Sequence, residues 1–170
     1  MTAHSLFRLS AIAAIFAGVL NPLVDLIAPS DNSWLQWGYF LGGVALQLAL
    51  VGIYAIQARE TGILGLLGFV FAFVGRAYFS VPTEDVGGID GTAPLGLIYT
   101  IGLICLALAS LSARKIPRLA PLLWLIAVIF GLTGAIIPAA EAALLNLGAI
   151  SLGLGFIATG YSLWTRNLAA

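Results

Sequence analysis

The chain has 170 residues, of which 61% are hydrophobic and 8% are charged, and its mean hydropathy is +1.09. This composition excludes an ordinary soluble domain, because apolar stretches of this extent are typical of membrane spans. Seven basic and seven acidic residues give a formal net charge of zero, which argues against a nucleic-acid partner that would select a basic face.

Six hydrophobic segments predict six membrane-crossing helices. They fall at about 7–28, 34–57, 62–80, 93–113, 119–138 and 142–165. Each is close to the roughly 20 residues that cross a hydrocarbon core of about 30 Å. Backbone polar groups in lipid must be satisfied within the segment, and apolar and polar residues do not alternate, so helices are favoured over strands. We therefore expect an all-α membrane protein, a six-transmembrane-helix bundle that forms one domain over residues 1–170.

Short polar breaks separate these segments. Their sequences are PSDNS (29–33), ARET (58–61), RKIPR (114–118) and PAAE (138–141), and a longer loop covers 81–93. The first segment contains Asn21, Pro22 and Asp25 and is not followed by an A-x-A site. We therefore expect it to be a retained helix rather than a cleaved signal peptide.

The charges alternate between successive breaks. Six basic residues lie in the tails or in every second loop: Arg8, Arg59, Arg114, Lys115, Arg118 and Arg166. The other loops contain acidic residues and no Lys or Arg: Asp31, Glu84, Asp85, Asp90 and Glu141. By the positive-inside rule, both termini face the cytoplasm and the 81–93 loop faces outward.

The six segments also read as three hairpins with partial internal similarity. Segments one and five open with RLSAIAAIFAGV and RLAPLLWLIAVIFG, and segments two and six end with GIYAIQAR and GYSLWTR. Three repeated helical hairpins would give this pattern, and so would similar membrane composition without duplication. Small residues at helical spacing, such as Gly65, Gly68, Ala72 and Gly75, predict close helix packing.

Arg76 is the one basic residue outside the loops. It lies 14 residues beyond Gly62, about 21 Å along a helix, and therefore below the outer membrane surface. Its neighbours one and three turns back are Ala72 and Gly65, on the small-residue stripe, so we expect it to face other helices. A charge at that depth needs a partner or a route to water.

Other polar residues are predicted at the same depth as Arg76. Asp25, Asn21, Gln36, Gln47 and Tyr99 all fall in the outer parts of their segments, and we expect the cytoplasmic half of the bundle to be nearly devoid of such groups. Two interpretations stay open. Arg76 either pairs with Asp25 or a lipid phosphate and only fixes helix order, or it lines an outward pocket with the other five residues, suited to a carboxylate or phosphate group.

The residues argue against catalysis, a metal and a cofactor. The one histidine, His4, lies in the N-terminal tail, and the one cysteine, Cys105, lies in an apolar run, so a zinc, haem or iron–sulfur site lacks ligands. The acidic residues of the 81–93 loop do not match an EF-hand. We predict no catalytic residues, no metal ligands and no cofactor.

Three phrases, RLSAIAAIFAGVL (8–20), GIYAIQARETGILGLLGFVFAFVG (52–75) and RKIPRLAPLLWL (114–125), resemble stretches of small six-span bacterial inner-membrane proteins. This resemblance implies a multi-pass protein of the bacterial inner membrane and no particular activity. Size and span count are also similar to those of the substrate-capturing subunits of energy-coupling-factor vitamin transporters. That similarity implies an outward pocket and a small-residue stripe on the first helix, to which Ala13 and Ala17 would belong.

Two functions are therefore expected as alternatives, and an enzyme that acts on a lipid is the third. The first is a non-enzymatic membrane protein whose outward polar pocket binds a small amphiphile or a lipid headgroup, in connection with transport. The second is a non-catalytic accessory subunit of a larger membrane complex, with its glycine stripes as the interface. The expected partners are membrane lipid in the first case and other membrane subunits in the second.

Overall fold

The computed structural model of the protein describes residues 3–27, 33–79, 85–86, 89–90 and 92–168. Five helices make up nearly all of this part of the chain: α1 (Ala3–Ile27), α2 (Ser33–Phe79), α3 (Thr92–Ala113), α4 (Leu119–Ile136) and α5 (Glu141–Leu168). A 3-10 turn at Pro138–Ala140 joins α4 to α5, and an antiparallel pair of short strands, β1 (Asp85–Val86) and β2 (Ile89–Asp90), lies between α2 and α3. The predicted break at 29–33 falls almost entirely outside the described residues.

Each of these five helices is long and apolar enough to cross a membrane. Their outward faces are apolar as well as their inward ones. On α4 one face consists of side chains that are all at least 40% exposed: Leu119, Leu122, Ile126, Ile129, Leu132 and Ile136. A helix that is apolar all round is typical of a membrane span, so the prediction of an all-α membrane protein is confirmed at this level.

Helix α2 differs from the prediction of two helices separated at residues 58–61. The helix continues through those residues and is interrupted only at Gly62, whose φ of 56° and ψ of −148° are not helical. Positive φ is costly for residues with a side chain and free for glycine, which explains why the turn occurs one residue later. The number of helices is five by this description, and the threefold hairpin repeat stays a prediction.

The two arms of α2, residues 33–61 and 63–79, fold back against each other. Gln47 Nε2 donates to the Phe73 carbonyl at 3.5 Å, and the rings of Tyr54 and Phe69 stack with their centroids 4.8 Å apart. In a straight helix, residues 47 and 73 would be about 39 Å apart. The 47-residue helix is therefore a hairpin with a single-residue turn.

The helices form a closed ring in the order α3, α2, α1, α5, α4 and back to α3. The contact between α3 and α4 is the weakest of the ring. Trp124 and Phe156 fill the centre, both fully buried, with ring centroids 5.2 Å apart. At one end, here called the basic end, Lys115 Nζ lies 2.9 Å from Glu60 Oε1 and the Arg8 guanidinium lies 5.1 Å from the centroid of Trp164.

Glycines set the distance between neighbouring helices. The predicted stripe on the second arm of α2 is buried against α3, as expected: a Cβ at Gly75 would lie 2.7 Å from the backbone nitrogen of Tyr99. Between α1 and α5, Gly18 and Gly153 each face the backbone carbonyl of the other. Backbones that approach this closely gain dispersion contacts, which are the main attraction between helices in lipid.

The expectation that the basic half of the bundle lacks polar groups was wrong. Six buried polar side chains lie there: Ser10, Gln57, Thr61, Ser110, Thr159 and Ser162. They are uncharged, and their bonds are local or between helices: Thr61 and Thr159 bond to carbonyls one turn back, and Gln57 Nε2 donates to Ser110 Oγ at 2.8 Å. Hydroxyls and amides that bond in this way are tolerated in membrane helices; Gln57 Oε1 accepts no hydrogen bond from the described residues.

The close approach of α2 and α3 makes Gly102 sensitive to substitution. A Cβ at Gly102 would lie 2.7 Å from the Phe71 carbonyl carbon and 2.8 Å from the Ala72 Cα, so Gly102→Ala must push two backbones apart. We expect a loss of about 1–3 kcal/mol of stability, as for other overpacked sites. The measurement is the midpoint of thermal unfolding in dodecylmaltoside.

Gly131→Ala is the matched control, because a Cβ at Gly131 would meet no heavy atom within 4 Å. Its midpoint should equal or exceed that of the wild type, since alanine is the better helix former. Equal midpoints for Gly102→Ala and Gly131→Ala would contradict the packing described for α2 and α3.

Candidate functional site

Arg76, on the second arm of α2, reaches across the bundle to α1. Its Nη2 donates to Asn21 Oδ1 at 2.8 Å, and the side chain is half-buried. The guanidinium therefore points into the protein, as the stripe of small residues predicted. A hydrogen bond from an ionised donor is stronger than a neutral one, so this contact fixes the side chain that carries the charge.

Asn21 is itself held in place by two helices. Its Nδ2 donates to the carbonyl of Ala17 at 3.0 Å, one turn back on α1, and to the carbonyl of Gly42 at 3.4 Å, on the first arm of α2. Gly42 leaves the room for this, because a Cβ there would overlap the Asn21 amide. The amide orientation that presents Oδ1 to Arg76 is thus set by the two carbonyls that accept from Nδ2.

Asp25 lies one turn beyond Asn21 on α1 and makes a separate contact with α2. Tyr39 OH donates to Asp25 Oδ1 at 2.9 Å. Both side chains are half-buried. Asp25 and Arg76 line the same cavity, so the site places a carboxyl group and a guanidinium on neighbouring walls.

These side chains surround a cavity of about 80 Å³. That is several times the roughly 15 Å³ that one water requires on the same kind of measure. Its lining comes from α1, both arms of α2, α3 and α5: Ala17, Asn21, Pro22, Asp25, Tyr39, Leu46, Arg76, Tyr99, Ala149, Leu152, Gly153 and Phe156. We call it the Arg76 cavity, and the end of the bundle where it lies the Arg76 end.

The structure brings together four of the six predicted site residues. Arg76, Asp25, Asn21 and Tyr99 line the Arg76 cavity. Gln47 does not line it, because its side chain is used in the bond to Phe73 that joins the two arms of α2. The side chain of Gln36 lies outside the described residues. The bond from Arg76 to Asn21 favours an inward side chain over one that reaches out to a lipid phosphate.

Tyr39 is the site residue that sequence reasoning missed. It lies in the WLQWGYF stretch (34–40), among several other aromatic residues. The signal that could have found it is the antiparallel register of α1 and α2. If Asn21 faces Gly42, then a residue one turn later on α1 faces a residue about one turn earlier on α2, and this relation pairs Asp25 with Tyr39.

The described residues contain no group of three or more His, Cys, Asp or Glu side chains that could hold a metal ion. What the Arg76 cavity offers is a fixed guanidinium, a carboxylate, an amide and two tyrosine rings above an apolar floor. This combination can bind and orient a polar group, because most pocket surfaces are apolar with a few convergent polar groups.

Replacing Asn21 tests whether it positions Arg76. Asn21→Ala removes the acceptor for Arg76 and the two bonds to the carbonyls of Ala17 and Gly42. We expect the free energy of unfolding to fall by about 1–3 kcal/mol, because buried partners are left unsatisfied. The measurement is thermal unfolding in detergent. Thr133→Ala, which removes an exposed bond to the Ile129 carbonyl, should change the midpoint little; equal effects of the two variants would contradict the role of Asn21.

Comparison of the chain with protein-family models, with curated proteins and with solved structures gives no significant match. What the protein does must therefore be argued from its own residues. Three features of the molecule bear on its function: the five apolar helices, the turn at Gly62 and the Arg76 cavity.

Proposed function

We propose that the protein is a multi-pass bacterial inner-membrane protein whose Arg76 cavity opens toward the outside and binds the polar group of a small amphiphile or lipid, in connection with its transport. The chain crosses the membrane six times in this proposal, with α2 making two of the crossings. Both termini and the basic end are cytoplasmic.

The arrangement of α2 supports six crossings. The turn at Gly62 and the contacts of Gln47 with Phe73 and of Tyr54 with Phe69 place the two arms side by side. Each arm is apolar apart from its ends, Gln47 and Arg76. The basic residues of the tails and of the turns near Gly62 and at residues 114–118 then lie on one side, as the positive-inside rule requires.

The single observation that carries the proposal is the placement of Arg76. An arginine inside a membrane span is costly, by about 2.5–3.5 kcal/mol at the helix centre on insertion scales. Here it is turned inward, fixed by Asn21 and placed on the wall of a cavity. A guanidinium used only to hold helices together gains nothing from a cavity beside it, whereas a ligand site requires one.

The chemistry of the cavity favours a headgroup over an apolar ligand. A guanidinium presents five N–H donors in a fixed fork and binds carboxylate or phosphate at two of them. Asp25 and the hydroxyls of Tyr39 and Tyr99 add further polar atoms on the other walls. The part of a ligand that enters the cavity is therefore polar and charged.

The packing of the glycines gives less support to the alternative of an accessory subunit. It used the glycine stripes as an interface for other subunits. In the described part of the chain these stripes are occupied within the molecule: Gly18 and Gly153 join α1 to α5, and Gly68 and Gly102 join α2 to α3. Ala13 and Ala17 of the first helix are buried as well.

The orientation is testable by cysteine labelling in a Cys105→Ser background. Asp90→Cys should react with a membrane-impermeant maleimide added to intact spheroplasts, because the loop between α2 and α3 faces outward in this proposal. Glu60→Cys, at the turn between the arms of α2, should react only after permeabilisation. The reverse pattern would contradict the orientation, and equal reactivity from outside would contradict the double crossing of α2.

Native mass spectrometry tests the ligand. The protein is extracted gently from its own membrane, and we expect a stoichiometric adduct on the wild type that is lost in Arg76→Gln, because the anchoring donors are removed. Arg166→Gln is the matched control, since Arg166 is exposed at the far end of α5, and it should keep the adduct. Circular dichroism checks that each variant remains helical.

Two results would overturn the proposal. One is a wild-type protein without an adduct that also binds none of a panel of bacterial lipids and fatty acids added back. The other is an adduct that Arg76→Gln retains at wild-type occupancy while the helical content is unchanged.

A further inference from the structure

The Arg76 cavity contains charges of both signs. Arg76 and Asp25 line the same small volume, where Arg76 Nη2 donates to Asn21 and Tyr39 OH donates to Asp25. The guanidinium is carried by the second arm of α2 and the carboxylate by α1, so the two groups lie on different walls. A carboxylate has two oxygens and about four acceptor positions, of which Tyr39 uses one, so Asp25 can accept from an ammonium group.

A purely anionic group would be attracted by Arg76 and repelled by Asp25. A purely cationic group would be attracted by Asp25 and repelled by Arg76. A group that carries both charges matches both walls. Charge complementarity therefore favours a zwitterionic headgroup, in which a phosphate or carboxylate faces Arg76 and an ammonium faces Asp25.

A second and larger hollow adjoins the Arg76 cavity. It is a cleft of about 450 Å³ with walls on α3 and α4 and a floor on α5, within the range of ligand sites. Its lining is almost wholly apolar: Gly96, Leu97, Tyr99, Thr100, Leu103, Ala127, Val128, Gly131, Leu132, Ala135, Leu145, Gly148, Ala149 and Leu152. The stretch of α4 from Ala127 to Ala135 makes it about 12 Å long.

The cleft opens where the ring of helices is weakest. The contact between α3 and α4 is the smallest in the ring, and among the described residues α3 and α5 do not pack closely against each other. Gly131 has no heavy atom within 4 Å of the position of a Cβ, so the wall of α4 leaves open space. Leu97, Leu132 and Leu145 are about half exposed at the rim, on the surface that faces lipid.

Tyr99, Ala149 and Leu152 line both hollows. Among the described residues, these three are shared by the charged cavity inside the ring and the apolar cleft on its outer side. A molecule with a polar head in the first and a hydrocarbon chain in the second would pass between α3 and α5 at Tyr99 and Leu152. The position of the two hollows therefore matches the shape of an amphiphile.

We propose that the ligand of the Arg76 cavity is a zwitterionic amphiphile with a single hydrocarbon chain, whose head lies between Arg76 and Asp25 and whose chain lies in the cleft between α3, α4 and α5. This inference rests on the proposed function and adds to it the charge type of the head, the location of the chain and the side of entry. The ligand enters from the bilayer, through the opening between α3 and α4.

The charge of the head is tested with two lysophospholipids of the same chain length. In native mass spectrometry the wild type should bind lysophosphatidylethanolamine, which has both charges, at least ~tenfold more tightly than lysophosphatidylglycerol, which has only the phosphate. Asp25→Asn should remove this preference and keep binding of both, because it removes the carboxylate and its repulsion. Arg76→Gln should lose both lipids.

The location of the chain is tested with a lysophosphatidylethanolamine that carries a diazirine near the end of its chain. After irradiation, peptide mapping should place the label on the cleft-lining residues of α4 and α5, between 127 and 152. Gly131→Leu should reduce that label at least ~fivefold because its side chain occupies the cleft, whereas Leu122→Phe, on the exposed face of α4, should leave it unchanged.

The outcomes separate this inference from the proposed function. Binding that Arg76→Gln abolishes, with a label spread over the outer faces of α1 and α2, would overturn the placement of the chain and leave the headgroup site standing. Equal affinity for the two lysophospholipids in the wild type would overturn the zwitterionic head. Absence of binding by the wild type would overturn the proposed function itself.

Discussion

Close approach of helix backbones is the constraint on which the whole structure depends. In lipid, apolar side chains gain nothing by leaving one apolar environment for another, so helices associate through packing and polar contacts. Gly18 against Gly153 joins α1 to α5, and Gly102 against Ala72 joins α2 to α3. These contacts fix the order of helices in the ring, and the order decides that α1, both arms of α2, α3 and α5 contribute side chains to one cavity.

The same packing explains how an arginine is tolerated inside the bundle. The guanidinium carries five N–H donors and no acceptor, so it has to be satisfied by the geometry of its surroundings. Asn21 provides the acceptor and is itself braced by Ala17 and Gly42. The glycine that lets α1 and α2 approach is therefore also the residue that makes room for the amide. Gly42 and Asn21 therefore contribute both to the packing of α1 against α2 and to the placement of the guanidinium, so a substitution at either residue alters both.

Much of the fold could be predicted from the sequence, because apolar length and small-residue spacing determine where membrane helices lie and which faces meet. The turn at Gly62 occurs one residue after the predicted break, since polar residues at 58–61 indicate a break while glycine tolerates the positive φ at little cost. Arg76, Asn21, Asp25 and Tyr99 could be grouped by depth. The roles of Gln47 and Tyr39 could not be predicted, because depth does not show which side of a helix faces which neighbour. The hydrogen-bond partners of Gln57 and its buried polar neighbours could not be predicted either, because they depend on the register between helices.

The turn at Gly62 has a consequence for how the protein is made. The second arm of α2 has 17 residues between 63 and 79, about 26 Å of helix against a hydrocarbon core of about 30 Å, and it carries Arg76. Alone it is a weak signal for insertion. The first arm is longer and free of charge over most of its length. Because a single residue, Gly62, joins the two arms, they cannot separate far from each other. If both arms cross the membrane, as proposed, we expect biosynthesis to deliver them to the bilayer as a preformed hairpin, so that Arg76 enters the membrane together with the first arm.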